Sequence, residues 1–270
     1  MLYLPRLTSG AGCGSNIAMC GRFTLTAPPD AVAELLALID LDPFPPRYNI
    51  APTQPILIAI GGEAERPGAN RPNRRALLAR WGLIPGWVKD VKSFPLLINA
   101  RAETAAEKNA FRGAMRYRRC LVPASGFYEW RRQGKAKSEP HFLKPADGRP
   151  FAFAGLMETF QGPDGGQIDT AAILTTAASG PIAAIHDRTP IVVAEADYAR
   201  WLDCRDHDPQ AVADILSPPD DDFFEIVRVS DRVNKVANTG PDVQAPIEEN
   251  AEATPVAATP PNGEAQGSLF

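Results

Sequence analysis

His141-Phe-Leu-Lys144, Phe151-Ala-Phe-Ala-Gly-Leu-Met-Glu158 and Thr170-Ala-Ala-Ile-Leu-Thr-Thr176 are three short apolar runs separated by the pairs Asp147-Gly148 and Gly165-Gly166. Runs of this length, rich in aromatic and β-branched residues and bounded by glycine-containing turn pairs, predict strands joined by hairpins. Outward from this block, residues 56–60, 76–81, 191–194 and 224–229 read as further strands. Residues 120–130 read as one strand with an internal glycine, Gly126. Residues 47–53 read as an extended loop. Helical spacing is sparser. It occurs at Val32, Leu35, Leu36 and Ile39, behind a capping Thr26 and the pair Pro28-Pro29. A second stretch opens at Asn99-Ala-Arg-Ala-Glu-Thr104 and carries Ala106, Phe111 and Met115, and short helices are expected at 197–204 and 210–216. Short strands without regular βα alternation predict an α+β fold of mainly antiparallel sheets, curled into a barrel-like core with flanking helices.

The chain has 270 residues, 44% hydrophobic and 22% charged, which is ordinary for a globular protein. No apolar run approaches the roughly 18–20 residues of a membrane span. Residues 1–18 hold one basic residue, Arg6, and no sustained apolar segment, so they do not read as a secretory signal. They are expected to be a leader, or to precede a true start at Met19, and to be missing from the mature protein. Residues 19–240 are expected to form one domain. From 241 to 270 the composition turns to Pro, Ala, Glu, Thr and Asn without periodicity, the pattern of a disordered tail.

Cys13, Cys20, Cys120 and Cys204 are widely spaced and form no CxxC or Cys/His metal pattern. Reduced thiols and a cytoplasmic, nucleoid-associated location are the expectation, with Cys120 and Cys204 as packing residues. The net charge of −4 conceals an asymmetry: between Arg71 and Lys137 there are sixteen Lys/Arg and only four Asp/Glu. That distribution fits either a basic face for a phosphate backbone or a solvated helix surface.

Met19-Cys20-Gly21-Arg22-Phe23 carries distinctive chemistry if Met19 is removed. Cys20 then has a free α-amine, whose pKa of about 7.7–8.0 leaves far more nucleophilic neutral form at neutral pH than a lysine at about 10.4. Amine and thiol on adjacent carbons can attack one aldehyde in succession, first as an imine and then as a five-membered thiazolidine. Only an N-terminal cysteine can do this.

Further blocks follow: Arg47-Tyr-Asn-Ile-Ala-Pro52, Trp81-Gly-Leu-Ile-Pro-Gly-Trp87, Ile98-Asn-Ala-Arg-Ala-Glu-Thr104, Cys120-Leu-Val-Pro-Ala-Ser-Gly-Phe-Tyr-Glu-Trp130, Phe153-Ala-Gly-Leu156, His186-Asp-Arg-Thr-Pro190 and Val229-Ser-Asp-Arg-Val-Asn234. In this order, with the Cys20 block, they resemble the SRAP (SOS response-associated peptidase) family, whose members shield abasic sites in single-stranded DNA by covalent crosslinking. The resemblance implies a barrel-like SRAP core and four active-site positions. Cys20 would form the crosslink. His186 would move a proton on the sugar ring oxygen to release the aldehyde, a task suited to imidazole. Glu129 would accept the proton shed by the attacking amine, and Asn99 would contact the adduct through its amide. Read alone, His186 is a structural histidine, Glu129 a solvent-facing strand residue and Asn99 a helix N-cap. The resemblance further implies DNA contacts: Arg22, Arg101 and Arg188 at phosphates, Pro52 and Trp87 at bases, and Thr175 at the backbone. Trp87 reads equally well as core packing. Arg112, Arg116, Arg118 and Arg119 would extend the phosphate track or coat a helix.

The tail ends in Gln266-Gly-Ser-Leu-Phe270, which looks like the Gln-x-x-Leu-Phe peptide that docks bacterial proteins on the sliding clamp. Gln266, Leu269 and Phe270 would be its anchors. The expected partners are therefore single-stranded DNA with abasic sites and the clamp, with no membrane, for a monomer. No metal, cofactor or phosphate-cradling motif appears, so no cofactor is expected. Two other functions compete with the shield: a thiol peptidase using Cys20, His186 and Asn99, and a noncovalent single-strand-binding adaptor.

Overall fold

Strands dominate the fold, and their pairing closes a barrel. The computed structural model describes residues 21–62, 73–131 and 138–247. Its strands are β1 (Phe23–Leu25), β2 (Arg47–Ile50), β3 (Pro55–Gly61), β4 (Arg74–Trp81), β5 (Asn99–Arg101), β6 (Arg119–Ala124), β7 (Gly126–Arg131), β8 (Glu139–Pro145), β9 (Phe151–Gln161), β10 (Gln167–Ala177), β11 (Arg188–Pro190), β12 (Val192–Val193) and β13 (Phe224–Arg228). Five helices flank them: α1 (Pro29–Leu36), α2 (Ala102–Ala105), α3 (Arg112–Tyr117), α4 (Gly180–Ala183) and α5 (Tyr198–Leu202).

Strands β10, β4, β3, β6 and β9 pair in that order, and β9 pairs back onto β10, which closes a five-stranded barrel. All these pairings are antiparallel except β10 with β4, which is parallel. Strand β9 is buried from Phe151 through Met157, so both of its faces are covered. Small residues make this possible. A Cβ on Gly155 would lie 2.7 Å from the Cys120 sulfur, closer than packing allows. A second sheet, in the order β13–β8–β7–β1–β2, lies against the barrel. Its Phe127, Leu143 and Phe23 side chains join the main core, while Tyr128 and Phe142 point to the opposite face.

Residues 120–130, read as one strand, are two strands in different sheets. The break is Ser125, whose hydroxyl accepts the N–H groups of Thr26 and Ala27 at 3.0 Å. Gly126 then lets β7 approach β8, because a Cβ there would sit 2.7 Å from the Leu143 carbonyl oxygen. Residues 47–50, expected in a loop, pair with β1 as an edge strand. Asn99 does not cap a helix: residues 99–101 pair with β10, and α2 begins only at Ala102. Thr26 does not cap α1 either, since Pro28 holds that position, and the helix stops at a left-handed Ala37 that leaves Ile39 exposed. Residues 210–216 supply only a single 3-10 turn, at Ala213–Ile215.

The ordered chain runs past residue 240. Val229, Val233 and Val243 are fully buried against Tyr128 and Phe142, and Val229 bridges to Pro246. These three valines make the segment a strap over the outer face of the small sheet. The first twenty residues, with Cys13 and Cys20, lie outside the described residues, as do Gln266, Leu269 and Phe270. Among the described residues no helix is long and apolar enough to cross a membrane.

Candidate active site

Trp81 ties the candidate residues together. It is fully buried at the end of β4, and the Phe23 ring of β1 packs on its edge with centroids 5.1 Å apart. Its indole N–H donates to the Ile98 carbonyl at 2.9 Å, next to Asn99. Its backbone N–H donates to Gln54 at 2.9 Å and its carbonyl accepts from Thr53 at 2.8 Å. One side chain and its peptide groups thus fix β1, β5 and the turn that carries Pro52. In that turn Thr53 has φ +71°, a left-handed conformation uncommon for a β-branched residue. The Gln54 side chain braces it, accepting from Ala51 N–H at 3.2 Å and from Arg47 at 2.7 Å.

The open end of β10 gathers most of the remaining positions. Asn99 lies opposite Ile173 and Arg101 opposite Thr175, while Thr175 is also paired with Pro190 and Ala177 with Arg188. The Arg188 guanidinium reaches across this row. It forks onto the two carboxylate oxygens of Glu103 at 2.5 and 2.8 Å and donates to the Thr175 carbonyl at 2.6 Å. The Arg188 hydrogen bond holds the Glu103 carboxyl below its ordinary range. Thr175 is fully buried, whereas Arg101 is exposed. The His186 side chain is 13% exposed, and its Nδ1 accepts the Arg188 backbone N–H at 3.1 Å. In the neutral ring that contact puts the proton on Nε2. Asp187 Oδ1 also lies 3.1 Å from Nδ1.

The other positions come from the small sheet. The described chain begins at Gly21, and the Arg22 carbonyl accepts the Tyr128 N–H at 2.9 Å, with Phe23 opposite Phe127. The described chain therefore begins beside β7, the strand that carries Glu129. Glu129 is not a solvent-facing strand residue; it is only 2% exposed. Arg22 is half-buried, and one of its amino groups donates to Asn49 Oδ1 at 2.7 Å and to the Val233 carbonyl at 2.6 Å. Desolvation draws this guanidinium below its ordinary pKa. Asn49, nearly fully buried, also directs its amide N–H groups at the carbonyls of Val233, Lys235 and Asn238, at 3.3, 3.1 and 2.8 Å.

Residues 112–119 resolve into different roles. Arg119 is buried and spans the carbonyls of Trp201, Met115, Asp203 and His207, which makes it structural. Arg116 donates to the Cys204 carbonyl, and Arg118 pairs with Glu158 at 2.8 Å. Cys120 is fully buried, and desolvation pushes its thiol far above the ordinary range, so it is no nucleophile.

Trp87 is 60% exposed, with the Phe94 ring packed edge-on against it, and is not a core residue.

Sequence reasoning missed His141. It faces Glu129 across β7 and β8, and Arg228 of β13 on its other side. Direct cross-strand partners share a sheet face, so Glu129, His141 and Arg228 form one row. His141 Nδ1 lies 3.0 Å from the Glu139 carbonyl, and burial holds the ring below the ordinary histidine range. Beside it Glu139 receives both Arg131 and Arg228, at 2.7 and 3.0 Å. Strand alternation alone would have put residues 139 and 141 on one face, but their partners on β7 depend on the hairpin register. Among the described residues no group of three His, Cys, Asp or Glu side chains is placed to hold a metal ion.

Comparison with known proteins gives a consistent picture. Residues 19–236 match the family model described as SOS response associated peptidase (SRAP). The chain is 39% identical over 228 residues to "Abasic site processing protein YoqW" of Bacillus subtilis, covering 83% of this chain and 98% of that protein. It is 27% identical over 272 residues to "Abasic site processing protein HMCES" of Rattus norvegicus, covering 85% of this chain and 76% of the relative. A crystal structure of a Bacteroides thetaiotaomicron protein shares the fold, with a TM-score of 0.71 at 22% identity, over 85% of this chain and 100% of that one.

Proposed function

This chain belongs to the SRAP family, and we propose that it processes abasic sites in single-stranded DNA by crosslinking them to Cys20. The observation that carries the reading is the convergence around Trp81: β1, which leads directly from Cys20, and the Asn99 strand are held to the same buried indole. Exposure of the Cys20 amine requires initiation at Met19 or trimming, followed by removal of Met19.

The abasic sugar is mostly a closed hemiacetal. His186, with Nε2 protonated and Nδ1 anchored by Arg188, donates to the ring oxygen as the C1′ hydroxyl gives its proton to solvent water, and the ring opens to the aldehyde. The Cys20 amine adds to C1′, and its surplus proton passes to Glu129. Loss of water gives the imine, and the thiol adds across the C=N bond, with sulfur bonding to C1′ and the proton returning to nitrogen. The net reaction is aldehyde plus aminothiol giving thiazolidine plus water, with no oxidant or cofactor needed. Arg101, exposed beside this row, contacts a phosphate. Arg188 and Arg22 support the site through their contacts with Glu103, Thr175, Asn49 and Val233, so buried Thr175 acts as an anchor for Arg188. The C-terminal Gln266, Leu269 and Phe270 dock on the sliding clamp, a role tested by clamp binding of the isolated tail peptide and its Leu269→Ala, Phe270→Ala variant.

The deciding experiment combines intact-protein mass with a denaturing gel after incubation with an oligonucleotide bearing one abasic site. A mass beginning at Cys20 and an adduct that survives denaturation, lost in Cys20→Ala, are the expected results. A protein that begins at Cys20 yet forms no adduct refutes the crosslinking reading, and binding without an adduct leaves the noncovalent adaptor.

A further inference from the structure

At the end of the barrel away from Trp81, a cleft of about 730 Å³ opens between the β3–β4 hairpin, the end of α3 and the residues that follow α5. We infer that it binds a free mononucleotide, with the phosphates held by arginines of its rim and the base against Tyr117. The site stands apart from the crosslinking centre and does not depend on it. Arg75, on its wall, precedes Trp81 by six residues on β4, about 20 Å at 3.3 Å per residue.

Charge points to an anion. Five arginines and three aspartates line the cleft among the described residues. Two of the aspartates are engaged within the protein. Asp169 accepts the Thr159 hydroxyl at 2.6 Å, and Asp203 accepts the N–H groups of Arg205 and Asp206 at 3.0 and 3.1 Å. Exposed Asp206 is the one carboxylate of the three without a partner among the described residues. On the basic side, Arg74 donates to the Leu36 carbonyl at 3.0 Å, and Arg118 pairs with Glu158. Arg119 is only 2% exposed, and its guanidinium is held by four backbone carbonyls rather than by a carboxylate. That wall therefore keeps a fixed cation. The side chains of Arg75 and Arg205, both exposed, make no hydrogen bond or ion pair among the described residues. Two uncommitted guanidinium groups beside a fixed third one suit a phosphate chain, whose oxygens they can take in pairs.

The rest of the lining suits a flat, partly apolar body. Buried Met157 and Leu202, with half-buried Leu77, give it an apolar part. Tyr117 stands at its edge, 67% exposed, with the Arg116 guanidinium 4.9 Å from its ring centroid. An aromatic ring this exposed has a face left for a base, and stacking of that kind accepts any base. The volume falls within the range of about 300–1,000 Å³ usual for small-molecule sites.

The test is a calorimetric titration of the intact protein, without DNA, using ATP, inorganic triphosphate and adenosine as probes. ATP should half-saturate below about 1 mM, with triphosphate and adenosine each at least about tenfold weaker, because each engages one part of the cleft. Arg75→Ala, Arg205→Ala and Tyr117→Ala should each weaken ATP about tenfold, with urea midpoints unchanged. Absence of ATP binding up to about 10 mM overturns the inference, as does ATP binding that all three variants leave intact. Triphosphate bound as tightly as ATP would mean an adventitious polyanion site only. An undamaged single-stranded oligonucleotide that displaces ATP at lower concentration would assign the cleft to a nucleic acid strand and overturn the mononucleotide. Because no DNA enters the titration itself, a failure of crosslinking leaves its outcome untouched.

Discussion

Asn49 is the side chain whose removal should do most to loosen the candidate site without touching a proposed reacting group. Its amide oxygen accepts from Arg22, and its two N–H groups serve three carbonyls of the strap, those of Val233, Lys235 and Asn238. Asn49→Ala deletes that amide from a place only 4% exposed. Water cannot readily replace it, so carbonyls and a guanidinium lose a buried partner. Each such loss costs about 0.5–1.5 kcal/mol as a bond, and about 1–3 kcal/mol where a polar group is left unsatisfied. Allowing for Arg22 keeping the Val233 carbonyl, the expected total is about 3 kcal/mol. In a domain of this size that corresponds to a fall in Tm of about 6–12 °C. Asn49→Asp sharpens the test. The carboxylate can still accept from Arg22, yet it has no donor and turns a negative charge toward three carbonyl oxygens. At neutral pH it should destabilise at least as much as alanine, and part of the loss should return as the pH falls and the carboxyl protonates. Urea denaturation at two pH values measures both. A change below about 1 kcal/mol for Asn49→Ala, or a carboxylate more stable than the wild type, would refute the view that this amide holds the strap to Arg22. If the view holds, both variants should also slow adduct formation, because Arg22 is two residues from Cys20.

Gly126→Ala should cost about 3 kcal/mol, since the new methyl meets the Phe142 ring at 2.5 Å and a backbone oxygen at 2.7 Å; a urea midpoint close to wild type would mean the β7–β8 hairpin can spread freely. His141 is held neutral by burial, so unfolding takes up a proton once the pH drops below the ordinary value of 6.5, and wild-type stability should decline from there downward. The contribution of Glu139, whose pKa is lowered by Arg131, is lost only below its ordinary 4.5 and leaves that window clear. His141→Gln should therefore flatten the Tm profile between about pH 5 and 6.5, and an unchanged slope would show that the acid sensitivity lies elsewhere.

How far the sequence carried the fold depended on the range of the interactions. The β8, β9 and β10 strands were legible because apolar runs and glycine turn pairs are local signals, and the β9–β10 hairpin followed from them; β8, read as the hairpin partner of β9, instead pairs with β7 and β13 in the other sheet, because the chain changes sheets after the Asp147-Gly148 turn. Strand β5 was not, because Asn99-Ala-Arg101 has no strand composition; β10 imposes its conformation by parallel pairing from 74 residues away. The split at Ser125 was hidden for a similar reason. Val122, Pro123, Ala124 and Phe127 read as one buried run, and only the closure of the barrel forces the chain to change sheets there. The candidate site divides in the same way. Cys20 entered the candidate site from its own chemistry, and Asn99, Glu129 and His186 from ordered motif blocks, whereas the contacts of Asn49, Trp81 and His141 come from partners that only the three-dimensional pairing supplies.

That division has a physical consequence for how such a site can be built. Residue 20 is joined to β1 through Gly21 and Arg22, so the contacts that hold β1 also hold the backbone next to it. Phe23 is clasped on one side by Trp81 and pairs through its backbone with Phe127 and Ile50. Arg22 is clasped from the far side by Asn49 and the strap. On the proposed reading, this clasp on the residues that follow it would confine a nucleophile at residue 20. Confinement of this kind raises the effective concentration of amine at the aldehyde without a preformed bond to either. It also means that substitutions at Trp81 or Asn49, neither of which is proposed to touch DNA, should lower the rate at saturating DNA more than they weaken binding. A substitution at Trp87 should do the reverse. Measuring both constants for both classes of variant separates positioning of the nucleophile from capture of the strand.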